Sequence, residues 1–275
     1  MNSLFQRDVL FTVLSSGSSG NCTYVGDGSA GVLIDCGVST KQILKRMEDV
    51  GLKDAPIDAV LITHEHTDHV GAARVLSGRL QQRAGRYVPF YMTAGTLDAC
   101  PDQCLPDSAE VIRAGETFRV RHIEVDPFTI PHDVVDPVAY RLQVGDVSVG
   151  VVTDLGRPTA LVTRKIQGLD ALALEYNHDI EMLLDGPYPW HLKQRIRSNH
   201  GHLSNEQASQ LLSAGLTPSL KHLVLAHLSE KNNSATKALT QATRTLKELG
   251  AEQVQVQVAE QHHAAEPIRV RASVW

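Results

Sequence analysis

The apolar residues of the first sixty positions fall into short runs separated by glycine-containing turns. The runs LFTVLSS, CTYVG and AGVLIDCG predict three strands of a meander, joined at GSSGN and DGS. In STKQILKRMEDVGL, by contrast, Ile43, Leu44 and Met47 recur at helical spacing behind a cap at Ser39 or Thr40. The next run, IDAVLIT, is almost wholly apolar and predicts a strand that is buried on both faces.

Beyond this run, clusters of predicted strands alternate with predicted helices in both halves of the chain. Strands are expected at VPFYMT, FRVRHIEVDPFTI, AYRLQVG, VSVGVVTD, ALALEYN, KHLVLAHLS and VQVQVA, and helices at VGAARVLSGRLQQR, TALVTRKIQGL, SNEQASQLLSAGL and SATKALTQATRTLKELG. This order favours two sheets packed face to face, with helices outside, over a single doubly wound sheet. The expected fold is an α/β, four-layer αββα sandwich.

Length and net charge limit the classes of protein to which this chain can belong. A chain of 275 residues could form one large domain or two small ones, and no linker divides it, so we expect a single domain over 1–275. The net charge of −5 excludes a protein that is electropositive overall, so a polyanionic substrate would need local basic patches or bound metal. No signal-peptide pattern or membrane-length apolar run is present, which predicts a cytoplasmic protein without a membrane partner.

The four cysteines are too few for a disulfide framework. Cys100 and Cys104 are the only close pair, and a structural metal or a disulfide there is one alternative. Buried or surface thiols are the favoured interpretation for all four.

A dense group of titratable residues, HEHTDH, follows the apolar run that ends at residue 63. Three histidines and two acids so close together would repel or desolvate one another unless a cation neutralised them. His64 and His66 can project to one side of an extended backbone, while Asp68 and His69 begin a helix and can face a neighbouring point. Imidazole and carboxylate ligands suit zinc, manganese or iron, and we reject the alternative of a solvated polar turn.

The group HEHTDH resembles the H-x-H-x-D-H signature of the metallo-β-lactamase superfamily. Further pieces follow in the order of that superfamily, IPHD with His132, VVTDLG with Asp154 and LVLAHLS with His227. The resemblance implies two divalent metal ions and a set of seven ligands: His64, His66 and His132 on the first ion, Asp68, His69 and His227 on the second, and Asp154 bridging both. Two adjacent cations can share a water molecule and lower its pKa, which makes metal-assisted hydrolysis the expected reaction class.

A longer resemblance covers residues 11 to about 240. The segments VLSSGSSGNCTYV, LIDCGVSTKQI, EYNHDIEML, YPWHLKQRI, GHLSNEQAS and AHLSEKNN are similar to the YycJ family, also called WalJ or VicX. That family is a group of metallo-hydrolases with nuclease activity, so the resemblance implies a nucleic acid substrate, with 5′-to-3′ exonuclease activity on DNA as the best candidate. The tail beyond residue 250 lies outside the match, and its His262 and His263 are expected on the surface.

Within GHLS, His202 resembles the phosphate-side histidine of related tRNA-processing nucleases. It is expected to protonate the leaving oxygen or to bind phosphate, and a solvated loop histidine is the alternative. Asp68, Asp154 and His202 are therefore the expected catalytic residues.

Other segments of the match could contact substrate. SGSSGN offers Ser18 and Asn21, with backbone N–H groups, as a phosphate cradle, or it forms only a tight turn. His178 in NHD could face substrate or orient a metal ligand, or it could only close the strand end.

The segment YPWHLKQRIRSNH mixes aromatic and cationic residues. Trp190, Lys193 and Arg195 beside Tyr188 suit the binding of a nucleic acid strand. An amphipathic helix with a buried tryptophan fits the same pattern. His122, His191 and His222 carry no motif and are expected to be structural, and His200 has no counterpart in the related nucleases.

Three rival functions are weighed against a nuclease. Hydrolysis of a small molecule, such as a lactam, thioester or cyclic phosphodiester, could use the same metal pair, although lactamases commonly have a cysteine near Asp154. A redox di-iron site fits less well, because His66 stands where that branch has glutamate. A binding protein that has lost its chemistry would have eroded ligands, and all seven are present.

Overall fold

The computed structural model describes residues 8–271, in which fourteen strands form two sheets of seven. The strands are β1 (Val9–Ser15), β2 (Cys22–Gly26), β3 (Gly31–Ile34), β4 (Ala59–Leu61), β5 (Phe90–Thr93), β6 (Ala109–Ile112), β7 (Phe118–Val120), β8 (Ile123–Thr129), β9 (Val138–Val144), β10 (Val147–Val152), β11 (Ala171–Glu175), β12 (His222–Ala226), β13 (Gln255–Val258) and β14 (Ile268–Val270). The first sheet has the order β14-β1-β2-β3-β4-β5-β6 and the second β13-β12-β11-β10-β9-β8-β7.

Helices connect the parallel strands and cover the outer faces. They are α1 (Thr40–Asp49), α2 (Thr67–Val70), α3 (Ala73–Ala84), α4 (Ala94–Ala99), α5 (Ala160–Ile166), α6 (Ile180–Asp185), α7 (Trp190–Ile196), α8 (Asn205–Gly215) and α9 (Ala235–Glu248), with a 3-10 turn at Asp102–Cys104. Ser39 caps α1 in a capping box with Gln42, and Ser204 caps α8 in the same way with Gln207.

Each sheet begins with an antiparallel meander and continues with parallel strands. β1 to β3 are antiparallel and β3 to β6 parallel, and the second sheet repeats this with β7 to β10 and β10 to β13. The last strand, β14, returns to the first sheet and pairs antiparallel with β1. Since parallel strands share one direction, the carboxyl ends of β3, β4, β10, β11 and β12 can deliver side chains to one edge of the sandwich.

Three apolar clusters separate the layers. One lies between the sheets and includes Phe11 and Tyr140; one lies under α1 and α3, with Ile43; and one lies under α5, α8 and α9. The predicted four-layer αββα sandwich is confirmed. The inter-sheet cluster draws on residues from Val9 to Val270, so we propose one domain, whose ends at 1–7 and 272–275 lie outside the described residues.

Some elements differ from the sequence prediction. The single strand predicted at FRVRHIEVDPFTI is two strands, β7 and β8, separated by a turn in which Arg121 has a positive φ of 56°. The pattern did not predict α4, β6 or β14. All four cysteines are free and buried, as favoured from the sequence. Within residues 8–271, none of the helices has the length and apolar character needed to cross a membrane.

Candidate metal centre

The histidines and acids of the seven-residue ligand set converge at the carboxyl ends of the strands. The HEHTDH segment follows β4, His132 follows β8, Asp154 follows β10 and His227 follows β12. Asp154 and His227 adopt left-handed backbone conformations with φ of 58° and 55°, and Asp35, at the end of β3, has φ of 60°. Non-glycine residues seldom adopt this region, and strain of this kind tends to occur at functional sites.

The turn that carries Asp68 and His69 is held against the first loops of the chain. The backbone N–H of Asn21 donates to the carbonyl of Asp68 at 2.7 Å, and that of Cys36 donates to the carbonyl of His69 at 2.7 Å. At Gly37 a side chain would overlap the Asp68 carbonyl, since a Cβ built there lies 1.6 Å from that oxygen. Glycine is therefore required for this close approach.

Two groups of possible ligand atoms form within this edge. His64, His66 and His132 form one group, and Asp68, His69 and His227 form another, with the potential ligand atoms of each group within 4.8 Å of one another. Asp154 lies between them: its carboxylate is 3.2 Å from Nε2 of His69 and 3.9 Å from Nε2 of His132. All seven residues of the predicted ligand set are therefore brought together in the predicted arrangement, and their assignment as ligands is our proposal.

Hydrogen bonds to Nδ1 orient most of these histidine rings. His69 Nδ1 lies 2.8 Å from Asp35 Oδ2, His132 Nδ1 3.2 Å from the carbonyl of Gly201, and His64 Nδ1 2.9 Å from the hydroxyl of Thr63. Because a carbonyl or an ionised carboxylate can only accept, Nδ1 carries the proton toward such a partner and Nε2 is left as a lone-pair donor. This is the outer support by which proteins fix the tautomer of metal-binding histidines.

Glu175, at the end of β11, is fully buried beneath the cluster. Its Oε1 lies 2.8 Å from Nδ1 of His202 and 3.1 Å from Nδ1 of His227, while its Oε2 accepts from the backbone N–H of Leu155 at 2.8 Å and of Leu203 at 3.3 Å. The potential ligand atoms of Glu175 and His202 also lie within 4.8 Å of those of Asp154 and His227. Since hydrogen bonds occupy both oxygens of Glu175, we assign it to the support of the histidines and not to a metal.

Buried atoms without a partner test whether this cluster suits a cation. Nε2 of His132, Oδ2 of Asp154 and Nε2 of His227 have no hydrogen-bond partner. An unpaired buried polar atom costs roughly 1–3 kcal/mol. These three are all members of the predicted ligand set, and imidazole and carboxylate suit divalent transition metals. The residues present therefore fit the metal ions that the fold implies.

The electrostatics of the cluster also favour a cation. Burial lowers the pKa of His64 well below its usual value, so its imidazole is neutral, as a ligand must be. Burial opposes ionisation of Asp154, yet His227 and His69 hold the pKa of this carboxyl well below its usual range. Burial lowers the pKa of His227, but the negative charge of Asp154 and its neighbours outweighs this effect and raises the pKa to about 10. The same negative potential attracts a divalent ion in competition with these protons.

A cavity of about 250 Å³ opens directly onto the cluster. Its lining includes Asp68, Asp154, His202 and His227, and also Ser18. His202 is partly exposed here, with 22% of its side-chain surface accessible. The structure thus places the predicted proton donor beside the predicted metal ligands, facing the space that a substrate would occupy.

Two predicted substrate contacts are placed elsewhere. Asn21 is buried, and its side chain accepts from the N–H of Gly17 and donates toward Asp68, so it supports the turn and the ligand. His178 is only 1% exposed, and burial lowers its pKa to about 4. The expectation that His178 touches substrate is corrected, because its neutral ring lies inside the protein.

The helix α7 also differs from expectation. Trp190 is exposed, with 59% of its surface accessible, and is not the buried tryptophan of the amphipathic alternative. Lys193 is buried, and its Nζ donates to the carbonyl of Leu184 at 2.5 Å, so the expectation that it contacts a nucleic acid is corrected. Arg195 remains exposed and pairs with Asp133.

None of the histidines that were expected to be structural or on the surface belongs to the two ligand groups or to the lining of the cavity. His122 pairs with Asp27 at 2.9 Å, and the exposed His262 pairs with Glu230 at 2.9 Å. His263 and His191 are exposed as well, and His222 opens β12 at the far end of that strand.

Two functional residues escaped the sequence reasoning. Glu175 had been noted only as part of a strand, and Asp35 had no role assigned. A signal was present in both cases, since each is an acid that closes an otherwise apolar run, ALALE and GVLID. A buried strand seldom ends in a carboxylate unless that carboxylate has a partner.

A four-layer αββα sandwich with a histidine and aspartate cluster at the ends of its strands defines a metallo-β-lactamase-fold hydrolase. Residues 31–228 match the model of the Beta-lactamase superfamily domain. The Exodeoxyribonuclease YycJ of Bacillus anthracis is 33% identical over 243 residues, which cover 87% of this chain and 90% of that protein. The Exodeoxyribonuclease WalJ of Streptococcus pneumoniae (strain D39) is 34% identical over 228 residues, covering 81% and 82%.

Solved structures agree on the fold. The metallo-β-lactamase fold protein YhfI from Bacillus subtilis superposes with a TM-score of 0.69 at 15% identity, covering 94% of this chain and 99% of its own. The chain belongs to the beta-lactamase superfamily, in the family of YycJ and WalJ. It is a metal-dependent hydrolase.

Proposed function

We propose that this protein hydrolyses phosphodiester bonds in DNA from a 5′ end, with two divalent ions of zinc or manganese, or of iron, as cofactor. The observation that carries the proposal is the position of His202. This histidine faces the cavity from the side of the ligand cluster, and a hydrogen bond to Glu175 already occupies its Nδ1. Its Nε2 is therefore free to act on a substrate.

A proton donor at this point suits a poor leaving group. Hydrolysis of a phosphodiester forms a bond from a water oxygen to phosphorus and breaks the bond to an alkoxide, which must receive a proton. His202 supplies that proton from Nε2 in this proposal, and the contact of its Nδ1 with Glu175 holds the ring in place. A thioester has a better leaving group, since a thiolate leaves more readily than an alkoxide, so it needs this donor less.

His64, His66 and His132 would hold one ion, Asp68, His69 and His227 the other, and Asp154 would contact both. The bound ions would lower the pKa of a water molecule and stabilise negative charge on the phosphate oxygens. The chain fixes the ligand atoms beforehand, because Asp35 and Glu175 orient His69 and His227 from behind.

DNA as substrate rests on the relatives. YycJ and WalJ are named exodeoxyribonucleases, and at 33–34% identity most of both chains align with this one. Outside the cavity, Trp190 and Arg195 stay exposed on α7 and are our proposed contacts for the strand, with Ser18 in the lining of the cavity. We propose the same cytoplasmic location that the sequence predicts.

The decisive experiment compares end-labelled oligonucleotides with a small ester. The purified protein, reconstituted with zinc or manganese, is incubated with single- and double-stranded DNA labelled at either end, with RNA, and with bis(p-nitrophenyl) phosphate. We expect metal-dependent shortening of DNA from its 5′ end. Hydrolysis of the ester with no degradation of any polynucleotide would overturn the proposal and favour a small-molecule phosphodiesterase.

Metal stoichiometry is measured on the same preparation. Elemental analysis should find up to two ions per chain in the wild type. The variants His64→Ala and Asp68→Ala should each weaken a different one of the two sites. Absence of metal from both the native and the reconstituted protein would contradict the cofactor assignment.

A further inference from the structure

Two contacts fix the orientation of α7. Lys193 donates to the carbonyl of Leu184 in α6, and Arg195 pairs with Asp133, the residue after His132. On a helix these two cations flank the row formed by Leu192 and Ile196, which are four residues apart and share a face. The helix therefore presents this apolar row in one defined direction.

That direction is the cavity beside the ligand cluster. Tyr188, Leu192 and Ile196 line it, together with Asp68, Asp154 and His227 of the ligand set. The backbone N–H of His202 donates to the carbonyl of Ile196 at 2.8 Å, so the apolar row ends directly next to the proposed proton donor. A group attached to the reacting phosphate would meet an aromatic ring and two aliphatic side chains.

We propose that this apolar wall is the binding subsite for the terminal nucleobase of a single DNA strand. The proposal rests on the phosphodiesterase function proposed above and names the group that lies beside the scissile phosphate. Bases offer a flat apolar face to an aromatic ring whatever their identity, so stacking here would tolerate any sequence.

The charge of the lining favours a base over a second phosphate. None of the described residues that line the cavity is a lysine or an arginine. The cations of α7 lie outside this lining, Lys193 inside the protein and Arg195 on the surface beside Asp133. A second phosphate in this cavity would therefore face Asp68 and Asp154 without a lysine or an arginine beside it.

The volume limits how much of the strand enters. At about 250 Å³ the cavity is at the small end of ligand pockets, which begin near roughly 300 Å³. This volume suits one nucleoside better than a base pair. In this proposal the terminal base pair of a duplex therefore opens before one strand enters.

The test is a DNA strand whose terminal residue lacks its base. The wild-type protein is given two single strands that differ only in a normal or an abasic 5′-terminal nucleotide, and a second pair modified at the 3′ end. Stacking contributes roughly 1–3 kcal/mol per base, so we expect kcat/KM to fall by about 5- to 150-fold on the abasic 5′ end. The 3′ pair should show no difference in the first cleavage.

Variants of the wall assign the effect to these residues. Tyr188→Ala and Leu192→Ala should slow cleavage of the normal end but change cleavage of the abasic end little. The ratio of kcat/KM on the normal end to kcat/KM on the abasic end should therefore fall toward one. The matched controls Tyr87→Ala and Leu239→Ala remove an exposed tyrosine and an exposed leucine elsewhere. They should keep the wild-type ratio of kcat/KM on the two ends.

The outcomes separate this subsite from the proposed function. If the wild type degrades normal and abasic 5′ ends at equal rates, the subsite is wrong while the exonuclease stands. If Tyr188→Ala and Leu192→Ala slow both substrates equally, the wall only supports the fold, and the subsite is again wrong. Cleavage of the small ester with no cleavage of any DNA overturns both proposals. The wild-type comparison needs no variant to fold.

Discussion

Oε1 of Glu175 lies 2.8 Å from Nδ1 of His202, although the two residues belong to a buried strand and to the loop before α8. The carboxylate is ionised, because His202 and His227 lower its pKa to about 2 against the effect of burial. One carboxylate therefore aligns the proposed proton donor and a proposed metal ligand. Activity and metal binding are linked through this residue.

Glu175→Gln should reduce both properties together. The neutral amide keeps the size of the side chain but cannot accept from both histidines with full charge. Loss of such outer support typically costs about 10–100-fold in activity or metal affinity. The measurements are kcat on DNA and metal content after dialysis. The matched control is Asp170→Asn, a buried carboxylate just before the start of the same strand, which should lower stability and leave kcat nearly unchanged.

Asp154→Asn should be more damaging than the loss of any one terminal histidine. The carboxylate lies within 4 Å of His69 and His132, members of both ligand groups, and the amide lacks the charge to balance two cations. We expect the turnover of Asp154→Asn to fall below that of His66→Ala at saturating metal. Near-normal turnover of the Asn variant would contradict the bridging assignment.

His202→Ala should bind metal normally and react slowly. Removing a general acid typically lowers the rate by about 10²–10⁴-fold. The defect should be smaller on a nitrophenyl ester, whose leaving group needs little protonation, than on DNA. Equal defects on both substrates would indicate phosphate binding instead, and loss of one metal equivalent would make His202 a ligand.

Asp35→Asn should weaken the site that contains His69. Asp35 accepts from His69 Nδ1 and from the backbone N–H of Thr63, and its backbone has a positive φ that asparagine tolerates. We expect metal affinity to fall by about 10–100-fold with little change in secondary structure. Metal titration followed by calorimetry measures this. Asp58→Asn, a buried acid just before β4 at the opposite edge, should leave the affinity unchanged.

His178 should make the fold sensitive to acid. Its pKa is about 4 in the folded protein because of burial, against 6.5 for an unperturbed histidine. The unfolded chain therefore binds this proton first as pH falls. The stability associated with a neutral His178 is complete above pH 6.5 and is lost as pH drops toward 4, by up to about 3 kcal/mol.

The variant His178→Phe should remove this dependence. Urea unfolding at pH 7 and pH 4.5, with chelator present in all samples, gives the loss of stability for each protein. We expect a smaller loss for His178→Phe than for the wild type, and an unchanged loss for His191→Phe, which alters an exposed histidine. The same loss in all three proteins would show that His178 is charged or hydrated when folded.

The density of HEHTDH alone predicted a metal site, whereas His132, Asp154 and His227 joined the ligand set through the resemblance to the metallo-β-lactamase superfamily. His64, Asp154 and His227 each follow directly on an apolar run, and strand ends are where parallel sheets deliver functional side chains. The layers of the fold followed from the same periodicity. β14 could not be found in this way, since it is short and pairs with β1 from the other end of the chain.

The substrate side was less predictable because its roles depend on contacts between distant segments. The composition of α7 suggested that Lys193 and Arg195 face a nucleic acid. Their partners are the carbonyl of Leu184 and the carboxylate of Asp133, and no local pattern reveals either contact. The row of Leu192 and Ile196 was visible in the sequence, but nothing there indicated that it faces a cavity.

The left-handed backbone at Asp35, Asp154 and His227 lowers thermal stability at residues that are proposed to serve catalysis. Each such residue costs roughly 1–2 kcal/mol relative to an ordinary conformation, and glycine would relieve most of that strain. At Asp35 and His227 glycine would also leave buried hydrogen-bond partners unpaired, so a selection for heat resistance alone should favour glycine mainly at Asp154, whose Oδ2 has no partner. The surviving proteins would melt at a higher temperature and would have lost the carboxylate on which the proposed hydrolysis depends.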